Sequence, residues 1–84
     1  MANCYIMSRS LTNAQRSVRV LQHYGILSHM VRPPQHLTGR GCGYAVRIHE
    51  RDLGNALRLL DDNGLPAKKV HRVGADGSYT EVKV

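Results

Sequence analysis

The stretch 27-LSHMVRPPQHLTGRGCGYAVRIH-49 decides how this chain folds. Its first part alternates Leu27, His29 and Val31 against Ser28, Met30 and Arg32, and 44-YAVRIH-49 resumes the same period. Alternation with period two sends successive side chains to opposite faces and reads as a strand. Pro33 and Pro34 stop the first strand, because neither can donate to a ladder. The intervening 33-PPQHLTGRGCG-43 is a loop, so the middle of the chain is a strand–loop–strand unit.

Working outward, each side of this unit carries a helix and then a strand. Upstream, Ala14, Val18, Leu21 and Tyr24 recur at three- and four-residue steps, which predicts a helix over 13–24 with those residues inward. Thr12 and Gln15 have capping-box spacing at its start, and Gly25 is placed to end it in the left-handed conformation. Before it, 3-NCYIMS-8 reads as a short strand buried on both faces. Downstream, Leu53, Ala56, Leu57 and Leu60 predict a helix over 51–63, stopped by Gly64 and Pro66. A strand over 67–73 follows, and Asp76-Gly77 predicts a turn into a last strand over 78–84. The order β-α-β-β-α-β gives an α+β fold of the ferredoxin-like split βαβ type. Residues 1–73 form its single domain, and 74–84 a C-terminal hairpin or tail.

Eighty-four residues bury only about 60% of their unfolded surface, too little for a deep catalytic cleft. Function therefore belongs on a loop or an edge. A net charge of +6 draws anions, and nine of the twelve basic residues are arginine, whose fork suits bidentate recognition. The start, MANCYIMSRS, lacks the features of a signal peptide, and no apolar run approaches the roughly 20 residues that span a bilayer. Two cysteines are too few for a disulfide-stapled secreted domain. These features predict a cytoplasmic protein with no membrane contact.

Cys42 stands between Gly41 and Gly43 on the central loop, with nothing bulky to hide it. In a split βαβ fold that loop lies at the end of the sheet where the first strand passes into the first helix. Helix starts offer unpaired N–H groups and a positive dipole end. Arg9, Ser10 and Thr12 on one side and Arg40 on the other would favour an anion there. The thiolate is the nucleophilic form of cysteine, and cationic neighbours lower its pKa. Gly41 and Gly43 would leave the sulfur accessible. His36, six residues earlier, is a candidate base. Cys4 belongs to the first strand at the far end of the sheet and reads as core; no Cys4–Cys42 disulfide is expected. Five histidines raise the question of a metal, but none has ligand spacing. His29 and His49 alone would face each other across the hairpin. No metal and no cofactor is expected.

Tyr5-Ile6, Ser10 or Thr12, Ala14, Gly25-Ile26, Pro34 and Gly41-Cys42-Gly43-Tyr44, with Asp52-Leu53, Ala56-Leu57 and Gly64-Leu65 downstream, resemble one family. It consists of small bacterial proteins described as selenium/sulfur carrier-like. The resemblance covers about residues 3–73. It implies that Cys42 accepts a sulfur or selenium atom as a persulfide or selenosulfide. Its partners would be a cysteine desulfurase or selenium donor enzyme and an acceptor protein. Such a protein is a covalent carrier, not a free-standing enzyme, since the donor supplies the activated atom. The other reading is a basic binding or regulatory module with a structural Cys42. Nucleic acid is not expected as its ligand. The chain has no Phe or Trp, its only strand aromatics near the stacking positions are Tyr5 and Tyr44, and 44-YAVRIH-49 does not match the RNA-recognition pattern. Pairing of two copies through the sheet fits either reading.

Overall fold

The structure is a computed structural model that describes residues 3–33, 43–67 and 69–82. Strand β1 (Asn3–Ser8) leads into helix α1 (Leu11–His23), followed by β2 (Ser28–Val31) and β3 (Tyr44–His49). A single 3-10 turn (Glu50–Asp52) opens helix α2 (Leu53–Asp62), and β4 (Val70–Val73) and β5 (Tyr79–Val82) complete the chain. The strands form one antiparallel sheet in the order β2-β3-β1-β4-β5. The split βαβ arrangement is therefore present, extended by a fifth strand beyond β4.

Both helices cover one face of this sheet. Cys4, Ile6, Val46, Ile48 and Val70 point into the core from the strands, where they meet Ala14 and Leu21 of α1 and Ala56 and Leu60 of α2. Since both helices pack on that face, β1 is not buried on both sides as its apolar run predicts. Cys4 and Ile6 are buried, whereas Asn3, Tyr5 and Met7 on the other face are half-exposed. Leu53 and Leu57 pack against the core, as the α2 periodicity requires.

The two helices end identically. At α1, the N–H of Gly25 donates to Gln22 O (3.0 Å) and that of Ile26 to Leu21 O (2.9 Å). At α2, Gly64 donates to Asp61 O (3.1 Å) and Leu65 to Leu60 O (2.8 Å). This crossed pair of bonds needs a left-handed residue between helix and exit, and the glycines supply φ of 79° and 74°. Each glycine is followed by an apolar residue that returns to the core, Ile26 or Leu65.

The predicted N-cap is corrected. Ser10, in extended conformation, caps α1 by accepting a bond from Asn13 N at 3.1 Å, and Thr12 is an exposed residue of the first turn. Tyr24 is also corrected. It is 55% exposed, because the helix ends before it and the 3.6-residue period no longer applies. Ser17 takes a buried place on the helix face and satisfies its hydroxyl by donating to Asn13 O at 2.9 Å. At the C-terminal hairpin, Gly77 adopts φ 84°, and Asp76 Oδ1 accepts from Ser78 N (3.0 Å) and Ser78 Oγ (2.7 Å). Those two bonds hold the Asp76 carboxyl below its ordinary pKa.

Candidate functional site

The site expected from the sequence sits where β1 gives way to α1, and the sheet register determines what meets there. Ser8 pairs with Tyr44, and Met7 with Ala45. Val31 pairs with Ala45 from the other side. The strands that enter and leave the central loop thus terminate beside the β1–α1 junction, with Gly43 immediately before the Ser8 partner. Arg32 and Tyr44 flank the base of the loop, with the Arg32 guanidinium 5.4 Å from the ring centre, in cation–π range.

Of the residues singled out from the sequence, Arg9, Ser10, Thr12 and Gly43 are gathered at this end. Arg9, Ser10 and Thr12 are exposed, and Gly43 is half-buried. His36, Arg40, Gly41 and Cys42 lie outside the described residues. Ser10 is engaged as the cap of α1, so its hydroxyl serves the helix first. The first turn of α1 holds no acidic residue that would oppose an anion at its positive end.

Chain topology also brings the α2–β4 connection to the same end, because β4 runs antiparallel to β1 and starts beside its exit. Met7 N donates to Lys69 O at 2.9 Å and ties the two together. Between them lies an open cleft of about 440 Å³, lined by Ser8, Arg9 and Asn13 on one wall and Leu65, Pro66 and Lys69 on the other. Its lining combines two cations with the apolar Met7, Leu65 and Pro66, and it could take a small anion or the side chain of a docking protein. Asn13, Lys69 and Arg32 were not singled out from sequence. The strand order alone would have found Lys69, since β4 must begin where β1 ends.

Cys4 is the contrasting thiol. It is fully buried and free, paired across β1 with Ile48 and Arg72. Four residues, about 13 Å of strand, separate it from Ser8 at the loop end. Burial raises its pKa, the nearby Glu50 carboxylate raises it further, and Arg72 partly offsets both. Arg72 is itself held by an ion pair to Glu50. Cys4 is therefore a neutral core thiol with no route to a partner protein.

Among the described residues no group of three or more His, Cys, Asp or Glu side chains is arranged to hold a metal ion. His29 and His49 lie on the same sheet face but are not directly opposite, for His29 pairs with Arg47. Nor is any helix among the described residues long and apolar enough to cross a membrane.

No curated protein and no solved structure matches the chain. A family does: the one described as "Putative Se/S carrier protein-like" matches residues 3–72, which takes in β1 through most of β4 and the whole of the junction just described. With 70 of its 84 residues matched, the chain belongs to that selenium/sulfur carrier-like family.

Proposed function

We propose that this protein carries a sulfur or selenium atom on Cys42 between a donor enzyme, a cysteine desulfurase or selenium donor, and an acceptor protein in the cytoplasm. The Cys42 thiolate attacks the terminal sulfur of the donor's persulfide. A new S–S bond forms at Cys42, the donor's S–S bond breaks, and the donor cysteine leaves as its thiolate. The acceptor repeats the exchange, taking the terminal atom and returning Cys42 to thiolate. Atoms and electrons balance without a cofactor, and no general base is needed once the thiol is ionised. Arg40 and Arg9 favour the ionised form, and Gly41 and Gly43 keep the sulfur within reach. Ser10 and Thr12 add hydroxyls at the start of α1. His36 serves as base only where the thiol must first lose its proton.

One observation carries this reading beyond the family membership: the Ser8–Tyr44 pairing, which sets Gly43, the neighbour of Cys42, against the cationic start of α1. The seclusion of Cys4 supports it too, because it removes the chain's other thiol from the chemistry.

The test is a loading-and-release assay with radiolabelled sulfur. A cysteine desulfurase with labelled cysteine should charge the wild type and a Cys4→Ala variant, and added acceptor thiol should discharge both. Cys42→Ser should take up no label. Equal labelling of Cys42→Ser would refute the assignment.

A further inference from the structure

The sheet face opposite the helices carries a surface that the carrier reading does not use. The registers place one residue from each strand in a single row across it: His29, Arg47, Tyr5, His71 and Glu81. The next row, away from the β1–α1 junction, runs His49, Asn3, Val73 and Tyr79. The rings of Tyr5 and Tyr79 stand 6.0 Å apart at 56°, forming an aromatic patch that spans β1, β4 and β5. Sequence reading overlooked this patch because it treated 74–84 as a tail and counted Tyr44 instead. Tyr44 in fact packs on the helix side with the core.

Among the described residues, the face carries one cation without an acidic partner. Arg47 and His29 are exposed, and Arg47 makes no ion pair among the described residues. Glu81 is the sole acid in these rows, and it lies at the edge, 4.0 Å from Lys69. A second copy of the chain, itself at +6, would bring further positive charge toward Arg47. Acidic groups alone would answer Arg47 but leave the tyrosines without a stacking partner. Unpaired nucleotides satisfy both: bases stack on aromatic rings, and phosphates pair with arginine.

We infer that this face binds single-stranded nucleic acid, with bases stacked on Tyr5 and Tyr79 and the backbone held by Arg47. A sheet of this kind accommodates two or three stacked bases. This activity is independent of Cys42 and stands or falls apart from the carrier role.

Fluorescence anisotropy with labelled uridine, adenosine and thymidine oligonucleotides tests it, inorganic polyphosphate serving as a competitor that has charge but no bases. Single strands should bind more tightly than polyphosphate, and RNA against DNA separates the two sources of the same chemistry. Tyr5→Leu should weaken binding about 5- to 150-fold, the range expected for one lost stack. Arg47→Gln, at an exposed site that leaves the fold intact, should lower the slope of log affinity against log salt by about 0.7, one single-strand phosphate contact. Three results would overturn the inference. They are wild-type binding by both variants, displacement of the strands by polyphosphate at equal charge concentration, and a dimer in sedimentation that Tyr5→Leu dissolves. The last would assign the face to a second copy of the chain.

Discussion

Replacing Cys4 by serine exchanges one atom, yet the structure makes it a severe change. Cys4 is fully enclosed on the central strand, with Ile48 opposite on one side and Arg72 on the other. A thiol behaves there as a small hydrophobe. A hydroxyl would need a partner, and the adjoining strand groups are committed to the β1–β3 and β1–β4 ladders. Leaving a buried hydroxyl unpaired costs about 1–3 kcal/mol. A chain of this length has a total stability of roughly 4–13 kcal/mol at 0.05–0.15 kcal/mol per residue. A loss of about 2 kcal/mol lowers the midpoint of thermal unfolding by roughly 8–16 °C in a domain of this size.

The same row offers a control of opposite sign. Ser28 pairs with Ile48 from the other side, is fully buried, and its Oγ has no hydrogen-bond partner. Ser28→Ala removes an unsatisfied hydroxyl and should leave stability unchanged or raise it by about 1 kcal/mol. Circular dichroism melts of the wild type, Cys4→Ser, Cys4→Ala and Ser28→Ala decide the matter, with Cys4→Ala milder than Cys4→Ser. If Cys4→Ser melts with the wild type while Ser28→Ala falls by several degrees, the reasoning from burial is refuted. A practical consequence is that alanine, not serine, is the replacement of Cys4 to use in sulfur-transfer work.

The raised pKa of Cys4 also predicts a pH dependence. An acid whose folded pKa exceeds its unfolded value binds more protons folded than unfolded, so its contribution is complete below about pH 8.5 and is lost as pH rises above it. Urea titrations at increasing pH should show wild-type stability falling in that window, by up to about 1.4 kcal/mol per unit. The difference between wild type and Cys4→Ala should carry that slope; parallel curves would contradict it. At the start of α1, Ser10→Ala should cost about 1 kcal/mol while Thr12→Ala is near neutral, and equal effects would mean that the cap is misassigned. At the ends of the helices, Gly25→Ala and Gly64→Ala should each cost about 1 kcal/mol from the left-handed backbone alone, since an added Cβ would meet nothing within 4 Å at either site. Asparagine, which tolerates that conformation, should cost less at both positions, and a steric clash would reverse that order.

What the sequence made legible were features written in local chemistry. The alternation in 27–32 and 44–49 identified the hairpin strands. Gly25 and Gly64 marked both helix ends because no other residue is at ease at positive φ. Less legible were choices among equivalent local signals. Ser8, Ser10 and Thr12 all resemble caps, and only the phase of the helix selects Ser10. The apolar run of β1 could not reveal that both helices pack on the same face of the sheet. Residues brought together by topology alone were the hardest to see. Lys69 joins Arg9 across a cleft, and Tyr79 meets Tyr5 across β4, although 60 and 74 positions separate the members of each pair.

The most direct test of the carrier assignment is intact-protein mass spectrometry after incubation with a cysteine desulfurase, supplied with cysteine or with selenocysteine. The wild type, Cys4→Ala and Cys42→Ser would be run side by side, with fragmentation to locate the added mass. The account predicts a gain of one sulfur or selenium atom on Cys42 in the wild type and in Cys4→Ala, and none in Cys42→Ser. Absence of any adduct, or one on Cys42→Ser equal to that of the wild type, would contradict it.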